Sequence, residues 1–95
     1  DPPARIGWLY LKAGKLDDAA KWTDKAIVLV YGPRKARLLT QRAEIAKAAG
    51  DKATERSFRE QVVKLWESLP PGQQSADNLA KAKQAVAELN GGSGR

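Results

Sequence analysis

The side chains with which this 95-residue chain can act are eleven Asp and Glu, seventeen Lys and Arg, three Trp and two Tyr; it has no Cys and no His. Without imidazole or thiol it lacks the commonest proton relay, the thiolate nucleophile, and the ligands of structural zinc and haem. Two carboxylates can work as acid and base only when they face each other across a cleft with separated pKa values. The adjacent pair Asp17-Asp18 opens a helix instead, where its members point apart and complement the positive end of the helix dipole. No glycine loop is placed to cradle a phosphate, because Gly50-Asp51-Lys52 itself opens a helix and Gly91-Gly92-Ser93-Gly94 precedes nothing. The residues therefore predict a non-enzyme, with no catalytic residue, no metal and no cofactor.

What remains is charge and surface. The net charge is +6, and residues 34 to 64 carry nine Lys and Arg against Glu44, Asp51, Glu55 and Glu60, so the middle of the chain is the basic part. Such a stretch attracts acidic peptides or phosphates, although cations interleaved with Glu at helical spacing also make an ordinary solvated face. A Cys-free chain suits cytosol and periplasm equally, leaving the compartment undetermined. No run approaches the roughly 18 apolar residues of a membrane span, which predicts no membrane insertion. The start, Asp1-Pro2-Pro3, is neither Met nor a signal peptide, and is expected to belong within a longer protein.

The elements that must carry this surface are helical. At 42% hydrophobic and 29% charged residues the chain has the composition of one folded domain, residues 1–90, followed by a flexible tail, 91–95. Gly14, Gly32-Pro33, Gly50-Asp51 and Pro70-Pro71-Gly72 divide it into five apolar-periodic segments. The spacing predicts helices at about 3–13, 16–31, 34–49, 52–69 and 76–90. Their stripes are Ile6, Leu9, Tyr10 and Ala13; Leu16, Ala19, Ala20, Ala26, Ile27 and Val30, with Thr23 as an interruption; Leu39, Ala43, Ala46 and Ala49 beside Leu38 and Ile45; Phe58, Val62, Leu65, Trp66 and Leu69; and Leu79, Ala82, Val86 and Leu89. Ser75 reads as the N-cap of the fifth helix and Asn90-Gly91 as its stop. No segment has the β-branched alternation of a strand, so the class is all-α.

Sliding the chain on itself by 36 residues places Gly14 on Gly50, Trp22 on Phe58, Ala26 on Val62, Leu29 on Leu65 and Val30 on Trp66. With Ile6-Gly7, Tyr10, Gly14, Leu16, Ala19, Ala26 and Pro33, the first unit resembles the tetratricopeptide repeat (TPR) family. Its departures are Pro3 at the family's tryptophan and Trp22 one position early for its helix-B aromatic. The second unit keeps Gly50 but has Ala43, Ala46 and Glu55 at three further signature positions. The resemblance implies antiparallel helical hairpins stacked as a short right-handed solenoid, with repeats at about 3–33 and 34–70 and a capping helix at 75–90. The junction Tyr31-Gly32-Pro33-Arg34-Lys35 also resembles a segment of the helical-repeat domains found C-terminal to thioredoxin-like domains in some bacterial proteins.

In the TPR family the first helix of each hairpin lines a concave groove. Carried over by register, the resemblance implies a partner-binding groove of Trp8, Leu11 and Lys12 with Arg37, Thr40, Gln41, Glu44 and Lys47. The last five share one helix face by spacing alone. Ala4 and Trp8 stand where the family's carboxylate-clamping Lys and Asn would be, which argues against capture of a terminal carboxylate. The expected function is a protein-interaction or scaffold module for a protein or peptide partner, acidic in character, with an upstream domain of the same chain as one candidate. The rivals are a regulatory or dimerising appendage of a thioredoxin-like redox protein and a basic nucleic-acid-binding domain. The second is disfavoured by the scarcity of exposed aromatics beside the cations.

Overall fold

The computed structural model describes residues 2–91, so the expected tail beyond Gly91 lies outside the described residues. The described chain is all-α: α1 (Pro2–Lys12), α2 (Leu16–Ile27), α3 (Pro33–Ala48), α4 (Lys52–Ser68) and α5 (Ala76–Asn90), with one 3-10 turn at Pro71–Gln73 before α5. Each helix packs on its neighbour in sequence, and α1 also touches α3. The result is a slab of 38 × 32 × 16 Å, and the short dimension is what two helix layers at the usual 8–10 Å separation occupy. No helix among the described residues is long and apolar enough to cross a membrane.

The turn inside each hairpin is the same object twice. Gly14 has φ +78° and Gly50 φ +77°, a conformation that only glycine adopts without penalty. Around Gly14 the N–H of Lys15 donates to the Tyr10 carbonyl at 2.9 Å and that of Gly14 to Leu11 at 3.0 Å; around Gly50 the N–H of Asp51 donates to Ala46 at 2.9 Å and that of Gly50 to Lys47 at 3.0 Å. These are paired 6→1 and 5→2 bonds of a Schellman stop, displaced by the 36 residues of the sequence offset. The junctions that follow differ. Gly32 (φ +69°) hands the chain to Pro33 at the start of α3, whereas Leu69 is extended before Pro70, as a residue preceding proline must be.

Helix α2 ends at Ile27, four residues before the sequence-based boundary. Beyond it the bonds are of the tighter i→i+3 kind, Leu29 N–H to Ala26 and Val30 N–H to Ile27. The β-branched Val28 and Val30 hold a helix poorly, and Val28, Leu29 and Tyr31 are left exposed in the connection. The register of the two hairpins thus runs through Ala26 and Val62, both buried, and stops before Leu29 and Leu65. In α1 Leu9 is exposed and the buried residue is Gly7, while Ala13, read as part of the same stripe, lies exposed in the turn after the helix.

Thr23, read as an interruption of a face, is fully buried at the α1–α2 crossing. Its hydroxyl accepts the Gln41 amide at 2.8 Å, and the same amide nitrogen lies 3.2 Å from the Ala4 carbonyl, so α3 braces both helices of the first hairpin. In the second hairpin the 36-residue offset puts Glu55 and Arg59 where Ala19 and Thr23 stand, and both are buried. Arg59 donates to Glu55 at 2.7 Å and to Glu44 at 3.0 Å. Burial alone would lower the Arg59 pKa, but the two carboxylates outweigh it and hold the guanidinium above its ordinary value, charged at any pH the fold survives. The largest apolar cluster joins Ala36 and Leu39 of α3, Val62 and Trp66 of α4, Leu69 and Ala82 of α5.

Two helices are capped by side chains. Ser75 accepts the Asn78 N–H at 3.1 Å, as its sequence position requires. Asp51 accepts the Thr54 hydroxyl at 2.6 Å and the Thr54 N–H at 3.1 Å, and these bonds hold its carboxyl below its ordinary value of 3.8. A carboxyl depressed on folding stabilises above its unfolded pKa and loses that contribution as pH falls through the folded one. Asp51→Ala is therefore expected to lower the melting temperature at neutral pH, with the gap narrowing as the pH falls below the ordinary Asp value of 3.8 and through the depressed folded-state one. Parallel melts across that range check this, and a gap that persists at low pH would contradict it.

Candidate functional site

Helix α3 packs on α2 and α4 and touches α1, and part of it is left open to solvent between α1 and α5. Its solvent side borders three depressions in a row. The upper one, between α1 and α3, is bounded by Ala4, Arg5, Trp8, Arg34, Arg37 and Gln41. A cleft between α3 and α5 has Val62 and Trp66 of α4 as its floor and Arg37, Thr40, Arg59 and Lys81 around it. The third, at the other end, holds Glu44, Lys47, Lys52, Glu55, Arg59 and Glu88. Arg37 borders both of the first two.

The eight sequence-derived groove residues are thus distributed along α1 and α3. Trp8, Arg37 and Gln41 meet in the upper depression, where Trp8 is 44% exposed. Lys12 places its ammonium 5.3 Å from the Trp8 ring centre, a cation–π distance. Leu11 is half-buried and is not among the residues that border this depression. Three members already have partners: the Thr40 hydroxyl donates to the Ala36 carbonyl at 2.9 Å, Gln41 forms the brace to Ala4 and Thr23, and Glu44 accepts Arg59. Glu44 and Lys47 border the third depression, away from Trp8.

Arg5 and Arg34 join the site without having been singled out. The signal was present, since Arg5 lies three residues before Trp8 and Arg34 three before Arg37, the spacing of same-face neighbours on a helix. Arg59 of α4 is buried under the cleft, whereas Lys21 and Lys25 of α2 are exposed. The outer-face cations behave differently, with Lys25 over the Trp22 ring at 4.5 Å and Arg42 both over Phe58 at 5.0 Å and paired with Asp24 at 2.9 Å.

The electrostatics of the upper depression are one-sided. Helix α3 begins with no acidic residue in its first turn and no side-chain cap, yet carries Arg34 and Lys35 there. Cations near a helix N-terminus are each unfavourable by about 0.3–1 kcal/mol at an exposed site. No Asp or Glu borders this depression. Its walls can supply planar N–H donors and an indole face; they present no nucleophile and no general base. Among the described residues no three Asp or Glu are grouped as metal ligands would be. No family model matches the chain, and neither the curated proteins nor the solved structures contain a match to it.

Proposed function

We propose that the protein is a non-catalytic interaction module that binds an acidic, partly apolar segment of a protein partner in the depression between α1 and α3, on a TPR-like scaffold of two hairpins and a capping helix. The observation that carries this reading is the convergence of Arg5, Arg34 and Arg37 around the exposed Trp8 with no carboxylate among the residues bordering them. Trp and Arg are the side chains whose truncation costs most at interfaces, and a fixed array of cations selects an acidic partner and speeds its approach. The repeated Schellman turn and the 36-residue register support the repeat scaffold. In that scaffold α1, α3 and α5 take the place of the groove-lining helices.

Chemical-shift mapping with a library of short peptides rich in Glu and Leu tests this. Shifts are expected in α1 and the first half of α3, and Trp8→Ala or Arg37→Glu should each weaken binding by about tenfold or more while melting within about 2 °C of the parent. Shifts confined to the opposite face, around Lys21, Lys25 and Lys64, would contradict the reading, as would unfolding by Trp8→Ala.

A further inference from the structure

We propose that the α1–α3 depression recognises a phosphorylated side chain, with Arg5, Arg34 and Arg37 taking the phosphoryl group and Trp8 the apolar residue beside it in the partner segment. This rests on the reading of the depression as a protein-binding groove and gives its ligand a chemical identity.

The described arginines divide into two sets. Arg42 is paired with Asp24, Arg56 donates to the Asn90 side chain and the Leu89 carbonyl, and Arg59 is held by Glu44 and Glu55. Arg5, Arg34 and Arg37 have no hydrogen bond or ion pair with any described residue, and these three border one depression. A guanidinium offers five donors in a planar fork, and one such fork already neutralises the single charge of a carboxylate and takes about half of its acceptor sites. A phosphoryl group brings nearly two charges and three strong acceptor oxygens, so it is the side-chain anion better matched to several guanidinia at once. The carriers are fixed in advance: Gln41, anchored to Ala4 and Thr23, sets the spacing of α1 and α3 before any ligand arrives.

A nucleic-acid backbone would need its phosphates met in succession. Beyond this depression Arg42 and Arg59 are paired with carboxylates, and Lys47 and Lys52 share the third depression with Glu44, Glu55 and Glu88. One face of Trp8, moreover, is already taken by Lys12. The charge forms a spot rather than a track, which favours a single phosphoryl group in a peptide.

The test compares three short-peptide libraries that differ only in a fixed central residue, phosphoserine, Glu or Ser, with a single-stranded oligonucleotide as a fourth probe. Binding is followed by Trp fluorescence and by chemical shifts of the Arg Nε–H groups. The phosphoserine library is expected to bind at least about tenfold more tightly than the Glu library, and Arg5→Gln, Arg34→Gln and Arg37→Gln should each lose about tenfold, the worth of one charge-assisted hydrogen bond. Lys64→Gln, exposed on α4, should leave binding unchanged. Equal affinity for phosphoserine and Glu would overturn the phosphoryl assignment while leaving the groove reading intact. No shift in α1 or α3 with any peptide library would overturn both. Tighter binding of the oligonucleotide, falling steeply with salt, would overturn the assignment in favour of nucleic acid.

Discussion

Trp66→Ala is expected to destabilise the protein by about 3–5 kcal/mol, close to all the stability a domain of this size commonly has. Trp66 is 8% exposed and sits where α3, α4 and α5 meet, against Ala36 and Ala82 on the flanking helices. Those neighbours are too small to swing into the vacated volume, so the cavity cost adds to the lost apolar burial. At about 4–8 °C per kcal/mol for a small domain, the melting temperature should fall by more than about 12 °C. Leu65, which the apolar periodicity ranks equal to Trp66, is only partly buried at the edge of the cluster, and Leu65→Ala should cost less than half as much. A Trp66→Ala protein melting within about 2 °C of the parent would remove this residue from the core.

The second large effect is expected from one methyl group. A Cβ added at Gly7 would lie 2.5 Å from the Thr23 hydroxyl, 3.0 Å from the Thr23 backbone nitrogen and 3.2 Å from the Ala19 carbonyl. Two of those atoms are backbone of α2, so relief requires the helices to separate. Gly7→Ala normally gains about 1 kcal/mol within a helix; here it should instead cost about 1–3 kcal/mol net, the range of overpacked cores, and Gly7→Val more. Gly72→Ala, where nothing lies within 4 Å, is the control and should be nearly neutral. Should Gly7→Ala raise the melting temperature, the close approach of α1 and α2 would be refuted. Because Trp8 follows Gly7 directly, the same variant should also displace the indole from the groove and weaken binding there.

What the sequence made legible was set by local chemistry. Gly14 and Gly50, 36 residues apart, announced the hairpin turns because a positive φ leaves few alternatives to glycine, and Ser75 announced α5 because a hydroxyl there satisfies a free N–H. The end of α2 was hidden, since Val28, Leu29 and Val30 continue the apolar pattern while packing against little. Periodicity registers hydrophobicity and is blind to what a neighbouring helix offers. For the same reason Thr23 looked like a blemish, although Gln41, eighteen residues away, makes its burial favourable. Glu55 and Arg59 looked like an exposed i,i+4 pair until α3 supplied Glu44. At the site, Trp8, Arg37 and Gln41, grouped in the sequence by spacing and by the resemblance, border one depression. Arg5 and Arg34 were within reach of the same spacing, three residues before Trp8 and Arg37, but that they pair with no described residue is visible only in the structure.

The buried Arg59 pair would disfavour an exchange of hairpins with another copy of the chain. Two units of one register invite mispairing, with α1 of one molecule docking on α4 of another in place of α3. In that arrangement Gly7 and Trp8 would occupy the positions of Ala43 and Glu44. The guanidinium would then keep Glu55 but lose Glu44, and because the Glu44 side chain is 50% exposed that loss is worth about 1 kcal/mol. The native first crossing, closed by a threonine hydroxyl and a glutamine amide, has no charge to strand. The same positions thus act as a key, neutral in one hairpin and ionic in the other, and the ionic copy ties α4 to the helix that carries Glu44.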